Sequence, residues 1–575
     1  MIRLFRYLRP YTLSVLVVLV LVFLQSMANL YLPTLLADIV NNGIVKNDQS
    51  YIMREGGVML LVTFGGAIAS IGSAFFAARV AVGFGRDVRA RLFTHVTKFS
   101  LHEFDTVGTA SMITRTTNDT NQVQTVLVIM LSMLVSAPMM AIGGIILAIQ
   151  QDATLTWTLA VAIPVLVIII LLVMTRAIPL FQAMQVKIDK VNLVLDEGLT
   201  GVRVIRAFGR ERHEEHRFDL ANLDLTNTAI SVYRLIAILF PFMMLVLNAT
   251  TVAIFWFGSK LIDSQEMQIG ALIAFLQYAM QILFAFLMLT MMFIFLPRAA
   301  ASAKRINEVL DIKPEINDPA KTHEATGTRG VVEFRDVTFS YPGAEEPALA
   351  HISFTARPGQ VTAIIGGTGA GKSSLVTLIP RFYDVDSGAV LVDGVDVREQ
   401  AQEALRAKIG FVPQRAVLFS GTIGENIRYG KADASDEEIR HAAEVAQASE
   451  FIDAMPLGID SVIAQGGTNI SGGQKQRLSI ARALVRKPEI YVFDDTFSAL
   501  DYTTDANLRA ALKPETAGAT VVIVAQRVST IMDADQILVL DEGKLVGIGT
   551  HHELMESNEV YREIVLSQLS LEEVA

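Results

Sequence analysis

The chain has 575 residues, 52% of them hydrophobic and 18% charged, with a mean hydropathy of +0.43; this is too apolar for a soluble globular protein and calls for membrane-embedded helices. A formal net charge of −10 argues against nucleic acid as a partner. The absence of cysteine excludes disulfides, thiolate metal sites and cysteine nucleophiles.

The opening stretch MIRLFRYLRPY sets Arg3, Arg6 and Arg9 three apart, opposite Leu4, Phe5 and Leu8. It fits a short helix lying on a membrane surface or, equally, a plain basic flank. The apolar run after it is longer than the h-region of a cleaved signal. Six segments of about 20 residues are long enough to cross a bilayer, near 13–36, 56–80, 126–149, 153–175, 235–258 and 270–296. Only QQDA separates the third from the fourth, a tight hairpin. The connections 81–125 and 176–234 are long, polar and helix-periodic, so the spans are expected to continue as helices beyond the membrane. The long connections carry Arg86, Arg89, Arg91, Arg176, Lys187, Arg203, Arg206 and Arg210, whereas the short ones carry little beyond Lys46, Arg54 and Lys260. Basic residues collect on the cytoplasmic side. The expectation is a multi-pass protein of the cell membrane with its N-terminus inside. HEEH at His213–His216 lacks the i, i+4 spacing of a zinc helix and reads as a solvated helix.

Within the spans, Gln25, Asn29, Asn248, Gln277 and Gln281 either line a polar cavity or hydrogen-bond between helices. The last two spans are rich in aromatics and methionine, among them Phe240, Met243, Trp256, Phe275, Tyr278, Met291 and Phe293. Such residues suit a cavity for varied apolar solutes, or plain lipid contact and packing. Asp38 near the end of the first span could pair across a gate or simply be wetted. The expected organisation is an all-α six-helix transmembrane domain at 1–310, a polar Pro- and Gly-bearing linker at 311–329, and a cytosolic α/β domain at 330–575.

The α/β part carries the chemistry. VTAIIGGTGAGKSSLVTLI reads strand, glycine loop, helix, and Gly366–Ser373 fits G-x-x-x-x-G-K-S. Gly366, Thr368, Gly369 and Gly371 would bring backbone N–H groups onto phosphates, with Ser374 in the first helical turn. Lys372 would reach the β- and γ-phosphates of ATP and Ser373 would bind Mg²⁺. In ISGGQKQRLSIARAL, Ser471, Gly472 and Gly473 can offer a hydroxyl and N–H groups to a phosphate at the start of a helix expected near Gln474. IYVFDD ends a strand on Asp494, placed to hold Mg²⁺.

These motifs, in this order after six spans, resemble the half-transporters of the ATP-binding cassette (ABC) exporters along nearly the whole chain. The resemblance implies that Tyr341 in VTFSYPG stacks on adenine and that Gln414 in GFVPQ senses Mg²⁺. It implies that Asp501 in SALD lies on the loop crossing between two cassettes, and that Ser471 and Gly473 act on ATP held by the opposite cassette. HEFDTVG and GVRVIRAFGRE sit where that family has its coupling helices. Two positions depart from the pattern: Asp495 stands where the family has Glu, and Gln526 in VAQR where it has His. Asp is a methylene shorter than the Glu of a general base, and Gln cannot become cationic. The pair resembles the degenerate site of heterodimeric bacterial multidrug exporters. That implies a second half-transporter as partner, hydrophobic or amphipathic cargo, and a site that binds ATP but hydrolyses it poorly. Lipid or peptide export, a homodimer, or an ATP-gated channel or regulatory membrane subunit remain as alternatives.

Overall fold

The computed structural model describes residues 2–323 and 329–568. Positions 324–328 of the expected linker and 569–575 of the expected α/β domain lie outside the described residues, as do the side chains of Met291 and Phe293. The chain forms two compact units, one of residues 1–97 and 109–312, the other of residues 98–108 together with the chain from 313 onward.

The first unit is helical. Its long elements are α1 (Thr12–Asp38), α2 (Gln49–Val96), α5 (Thr120–Gln151), α6 (Thr156–Thr200), α8 (Glu211–Asp263) and α9 (Ile269–Asp311); the short α3 (Leu101–Val107), α4 (Thr109–Thr114) and α7 (Val202–Ala207) lie in the connections. Each of the six expected spans overlaps a helix apolar and long enough to cross a membrane; the fourth helix begins at Thr156 rather than 153, and the sixth qualifies over Ile269–Leu289. The 53 residues of α8 extend about 80 Å, against a hydrocarbon core of about 30 Å, so most of that helix's length lies beyond the bilayer. The opening stretch is a 3₁₀ helix, Ile2–Tyr11, that buries Leu4 and Tyr7.

Packing inside the bundle relies on small residues, because lipid gives apolar side chains no reason to leave it. On α2, Ala69, Ser73, Ala77, Ala81 and Gly85 form a buried stripe at helical spacing. On α1, Val18, Val22, Ser26 and Leu30 form another buried stripe at helical spacing. Large apolar residues point outward instead, for example Leu60 and Phe64 on α2. Phe275 and Tyr278 are fully buried among helices rather than lining a cavity, whereas Phe240 and Trp256 are exposed. The Tyr278 hydroxyl donates to the Leu30 carbonyl (3.0 Å) and meets the Thr34 hydroxyl at 2.6 Å.

A proline explains another of the polar residues. Pro33 lies inside α1 and has no N–H to give the carbonyl four residues back, that of Asn29. In hydrocarbon a bare carbonyl costs several kcal/mol. Gln281 of α9 donates its Nε2 to that same Asn29 oxygen at 3.2 Å. Of the two roles open to Gln281, the geometry selects helix–helix bonding.

The second unit is built on three sheets. Its strands are β1 (Val332–Phe339), β2 (Leu349–Ala356), β3 (Val361–Gly366), β4 (Ser387–Val392), β5 (Val395–Asp396), β6 (Ile409–Val412), β7 (Gly421–Thr422), β8 (Val462–Ile463), β9 (Ile490–Asp494), β10 (Thr520–Val524), β11 (Gln536–Asp541) and β12 (Lys544–Gly549). The six-stranded sheet runs β12-β11-β3-β10-β9-β6, parallel except for the β11–β12 pair. Strands β9 and β10 are buried on both faces, as their unbroken apolar runs require. The antiparallel sheet β2-β1-β4-β5 and the hairpin β7-β8 complete it. Because β3, β10 and β9 are neighbours, the glycine loop after β3 and the acids after β9 emerge at the same sheet edge.

Helix α3 groups with this unit, although sequence organisation puts it among the spans. Glu103, only 4% exposed, accepts the N–H of Glu315 at 2.9 Å and the N–H of Ser100. Burial opposes ionisation, yet these bonds hold its carboxyl below the usual carboxylate range.

The proline account predicts an energetic link between α1 and α9. In a double-mutant cycle of Pro33→Ala and Gln281→Leu, followed by thermal unfolding in detergent, the two changes should couple by about 1 kcal/mol. Gln281→Leu should cost less once Pro33→Ala has given the Asn29 carbonyl an N–H of its own.

Candidate active site

The glycine loop is shaped by backbone demands. A Cβ on Gly366 would sit 2.1 Å from the Leu540 carbonyl oxygen, and one on Gly371 2.6 Å from that of Ala348. Gly369 and Gly371 have φ of +85° and +89°, a region open chiefly to glycine. Gly367 and Gly369 face open space, so the loop keeps a concave side of backbone free, with Thr368 exposed on it. Lys372 donates to the carbonyls of Gly366 (2.8 Å) and Gly367 (2.7 Å), which leaves the third of its three N–H bonds for a ligand. Burial lowers the Lys372 pKa, while Asp495 and Asp494 pull it back up.

Ser373 opens the helix Lys372–Leu378 and donates its hydroxyl to Asp494 Oδ1 at 2.9 Å. Asp494 and Asp495 are each 6% exposed. Burial pushes the Asp494 pKa above the ordinary value; the Ser373 hydrogen bond opposes the rise, the Asp495 charge adds to it and Lys372 opposes it. Two buried acids beside one ammonium are short of positive charge. Together with a hydroxyl and an open loop of N–H groups, they fit Mg²⁺ and a phosphate chain.

Asp495 is not on the strand end. It is the first residue past β9, at φ +45°, where a non-glycine residue is uncommon and Asp is among those that tolerate it. Its Oδ2 accepts two amide bonds, from Gln414 Nε2 at 3.0 Å and from Gln526 Nε2 at 2.7 Å. The two family departures therefore meet each other. Gln526 spends an N–H on Asp495. Gln414, expected at Mg²⁺, is tied to the same oxygen.

The chain leaving Asp495 is braced onward. The Asp495 carbonyl accepts from the Ser498 hydroxyl at 2.9 Å. Asp501 caps the helix Tyr502–Glu515 by accepting the Thr504 N–H at 2.9 Å. Arg527, which sequence reasoning did not single out, donates to the carbonyls of Leu500 and Ser498 and stacks 4.8 Å over Tyr502. Its only sequence signal was its place next to Gln526.

Tyr341 is half-exposed. Its hydroxyl meets the Ser374 hydroxyl at 2.9 Å and its ring stands edge-on to Phe339 and Tyr383. Tyr383 was also missed by sequence reasoning, since nothing in RFYD marks it. Burial, with Asp105 and Tyr341 adding, pushes its pKa up to about 12. Ser471 begins the helix Gly472–Leu484 through a capping box with Gln474. That reciprocal bond draws the helix start to Gly472, ahead of the expected Gln474. The Ser471 oxygen accepts the Gln474 N–H (3.3 Å), so its own O–H remains free to donate. Gly473 is packed over the Ala499 carbonyl at the distance a Cβ would just tolerate, 3.3 Å.

A six-helix membrane bundle joined to an α/β unit with a phosphate loop facing paired acids defines an ATP-dependent membrane transporter. Residues 15–286 match the family model of the ABC transporter transmembrane region and residues 349–498 the family model described as ABC transporter. An uncharacterized ABC transporter ATP-binding protein of Mycobacterium tuberculosis is 46% identical over 98% of this chain and 97% of its own length. An ATP-dependent lipid A-core flippase of Vibrio vulnificus is 30% identical over 98% of this chain and 96% of its own. The structure of a bacterial Atm1-family ABC exporter with ATP bound superimposes with a TM-score of 0.81 at 27% identity, covering 96% of this chain and 98% of that one. The chain belongs to the ABC transporters and has the fold of an ATP-driven exporter half.

The raised Asp494 pKa has a pH consequence. The carboxyl must lose its proton to receive Mg²⁺. A raised pKa means more protonated acid at any given pH, so Mg²⁺-dependent tightening of nucleotide binding should weaken as pH falls, beginning above the range of an ordinary aspartate. Titrating a fluorescent nucleotide with Mg²⁺ or with EDTA across pH reads this, and Asp494→Asn should remove most of the Mg²⁺ effect at every pH.

Proposed function

We propose that this chain is one half of a heterodimeric exporter, and that its own site holds ATP and turns it over slowly. In this reading residues 1–310 form the transmembrane domain, 311–329 the linker and 330–575 the cassette. The N-terminus and cassette are cytoplasmic in the cell membrane. The carrying observation is the double amide bond onto Asp495 Oδ2, from Gln414 and Gln526. A general base must reach the attacking water at about 2.6–3.2 Å. Here the candidate base is a methylene short and one of its oxygens is already filled. A misplacement of about 1 Å can cost roughly 100-fold in rate.

The binding set is complete by contrast. Lys372 offers its spare N–H to the β- and γ-phosphates, backed by the loop N–H groups from Gly366 to Ser374. Tyr341 offers a ring face to the adenine. Ser373, Asp494 and Gln414 would hold Mg²⁺, whose chemistry there is to offset phosphate charge. Ser471 and Gly473 supply a free O–H and a helix N-terminus for ATP on the partner half, with Asp501 on the crossing loop. Such an arrangement lets the chain complete an active site it does not itself contain.

The cargo in this reading is hydrophobic or amphipathic. A lipid exporter is the second reading, favoured by the flippase relative. Flip of a labelled lipid in sealed vesicles, compared with uptake of a cationic dye, separates the two, and a channel would build no gradient of either.

In the assembled pair, with the partner's catalytic acid silenced, Asp495→Glu with Gln526→His should raise single-turnover hydrolysis at this site about 10-fold, near 1.4 kcal/mol of barrier. The two changes should be coupled rather than additive, since they share one hydrogen-bonded cluster. Ser471→Ala should depress the pair's steady-state turnover although it lies outside this chain's own site. Fast hydrolysis by the lone chain would overturn the heterodimer reading.

A further inference from the structure

Between α6 and α8, near the start of one and the end of the other, runs a groove of about 770 Å³. Trp157, Val161 and Val165 line it from α6, and Ala249, Ala253 and Phe257 from α8, each set at helical spacing along one face. The groove exists because the alanines leave a gap that a leucine would close. Its walls are open to the surroundings of the helix pair: Trp157 is 74% exposed, Val161 63% and Phe257 52%.

Lys260 lies at one end of this apolar channel. Its ammonium sits 5.1 Å from the centre of the Trp256 ring and has no carboxylate partner among the described residues. Asp263, three residues on in the same last turn of α8, makes no ion pair with it within 4 Å, and Asp152 accepts the Leu155 N–H at 2.7 Å. An ammonium without an ion-pair partner at the end of an apolar groove favours an anion there. Dimensions agree: from Val246 to Lys260 α8 rises about 21 Å, against about 15 Å for the hydrocarbon of one leaflet. One acyl chain with its glycerol fits that length, and the volume lies within the range of small-ligand sites, roughly 300–1,000 Å³.

We infer that this groove binds one anionic phospholipid of the surrounding leaflet, its acyl chain between α6 and α8 and its phosphate at Lys260. The site is separate from the nucleotide chemistry and does not depend on which half hydrolyses ATP.

The chain has two tryptophans, Trp157 and Trp256, so Trp256→Phe leaves the groove's own residue as sole reporter. The full chain carrying that change is reconstituted into phosphatidylcholine vesicles doped with bromine-labelled phosphatidylglycerol or, separately, bromine-labelled phosphatidylcholine. Quenching of Trp157 should be half-maximal at an anionic mole fraction about fivefold lower than for the zwitterionic lipid. Lys260→Gln should abolish the preference and Lys260→Arg keep it, with unchanged thermal unfolding midpoints showing that both variants are folded. Equal quenching by the two lipids, a preference that survives Lys260→Gln, or no quenching by either because protein covers the groove would each overturn the assignment.

Discussion

The Asp495 carboxylate, held on one oxygen by two glutamine amides, is the contact on which the nucleotide site turns. It joins the segment after β6, the turn after β9 and the segment after β10, three stretches that the parallel sheet brings side by side. Tied together, they form one hydrogen-bonded cluster. The same turn passes its position on, because the Asp495 carbonyl anchors Ser498 and Arg527 holds the carbonyls of Ser498 and Leu500. What happens at one side chain is thus registered along the loop toward Asp501.

The parts of this architecture legible in sequence were those written in local patterns. Six runs of apolar residues needed only length to be recognised, and the glycine loop needed only spacing, since Gly369 and Gly371 occupy backbone regions that few other residues can enter. Long-range partners were not legible. Gln414 and Gln526 lie far from Asp495 in the chain, and an amide could as well have pointed to a ligand as to an acid. The same holds for Gln281, whose polarity in a span was plain but whose partner depended on a proline in another helix. Helix starts failed by small amounts for a related reason: Ser471 and Gln474 cap each other, and reciprocal caps move a boundary without changing the apolar pattern.

The two units use opposite solvents to the same end. In the second unit, burial of β9 and β10 removes apolar surface from water and leaves charged groups at one sheet edge. In the first, small residues such as Ala77, Ala81 and Gly85 make part of the inner contacts beside buried leucines such as Leu30 and Leu159, while other large apolar side chains, Leu60 and Phe64 among them, turn outward. Between α6 and α8, where Ala249 and Ala253 of α8 stand across from Trp157, Val161 and Val165 of α6, the result is an open groove instead of a seam.

The bond from Gln281 to the carbonyl freed by Pro33 acts as a registration key between α1 and α9. A translation of either helix by even one residue, about 1.5 Å, would strand that carbonyl in an environment with no water to replace the donor. Sliding along the common axis is therefore penalised, while tilting of the pair as a single body is not. A rearrangement of the bundle that keeps this bond carries α1 and α9 together, and one that parts them has to supply the carbonyl with another donor.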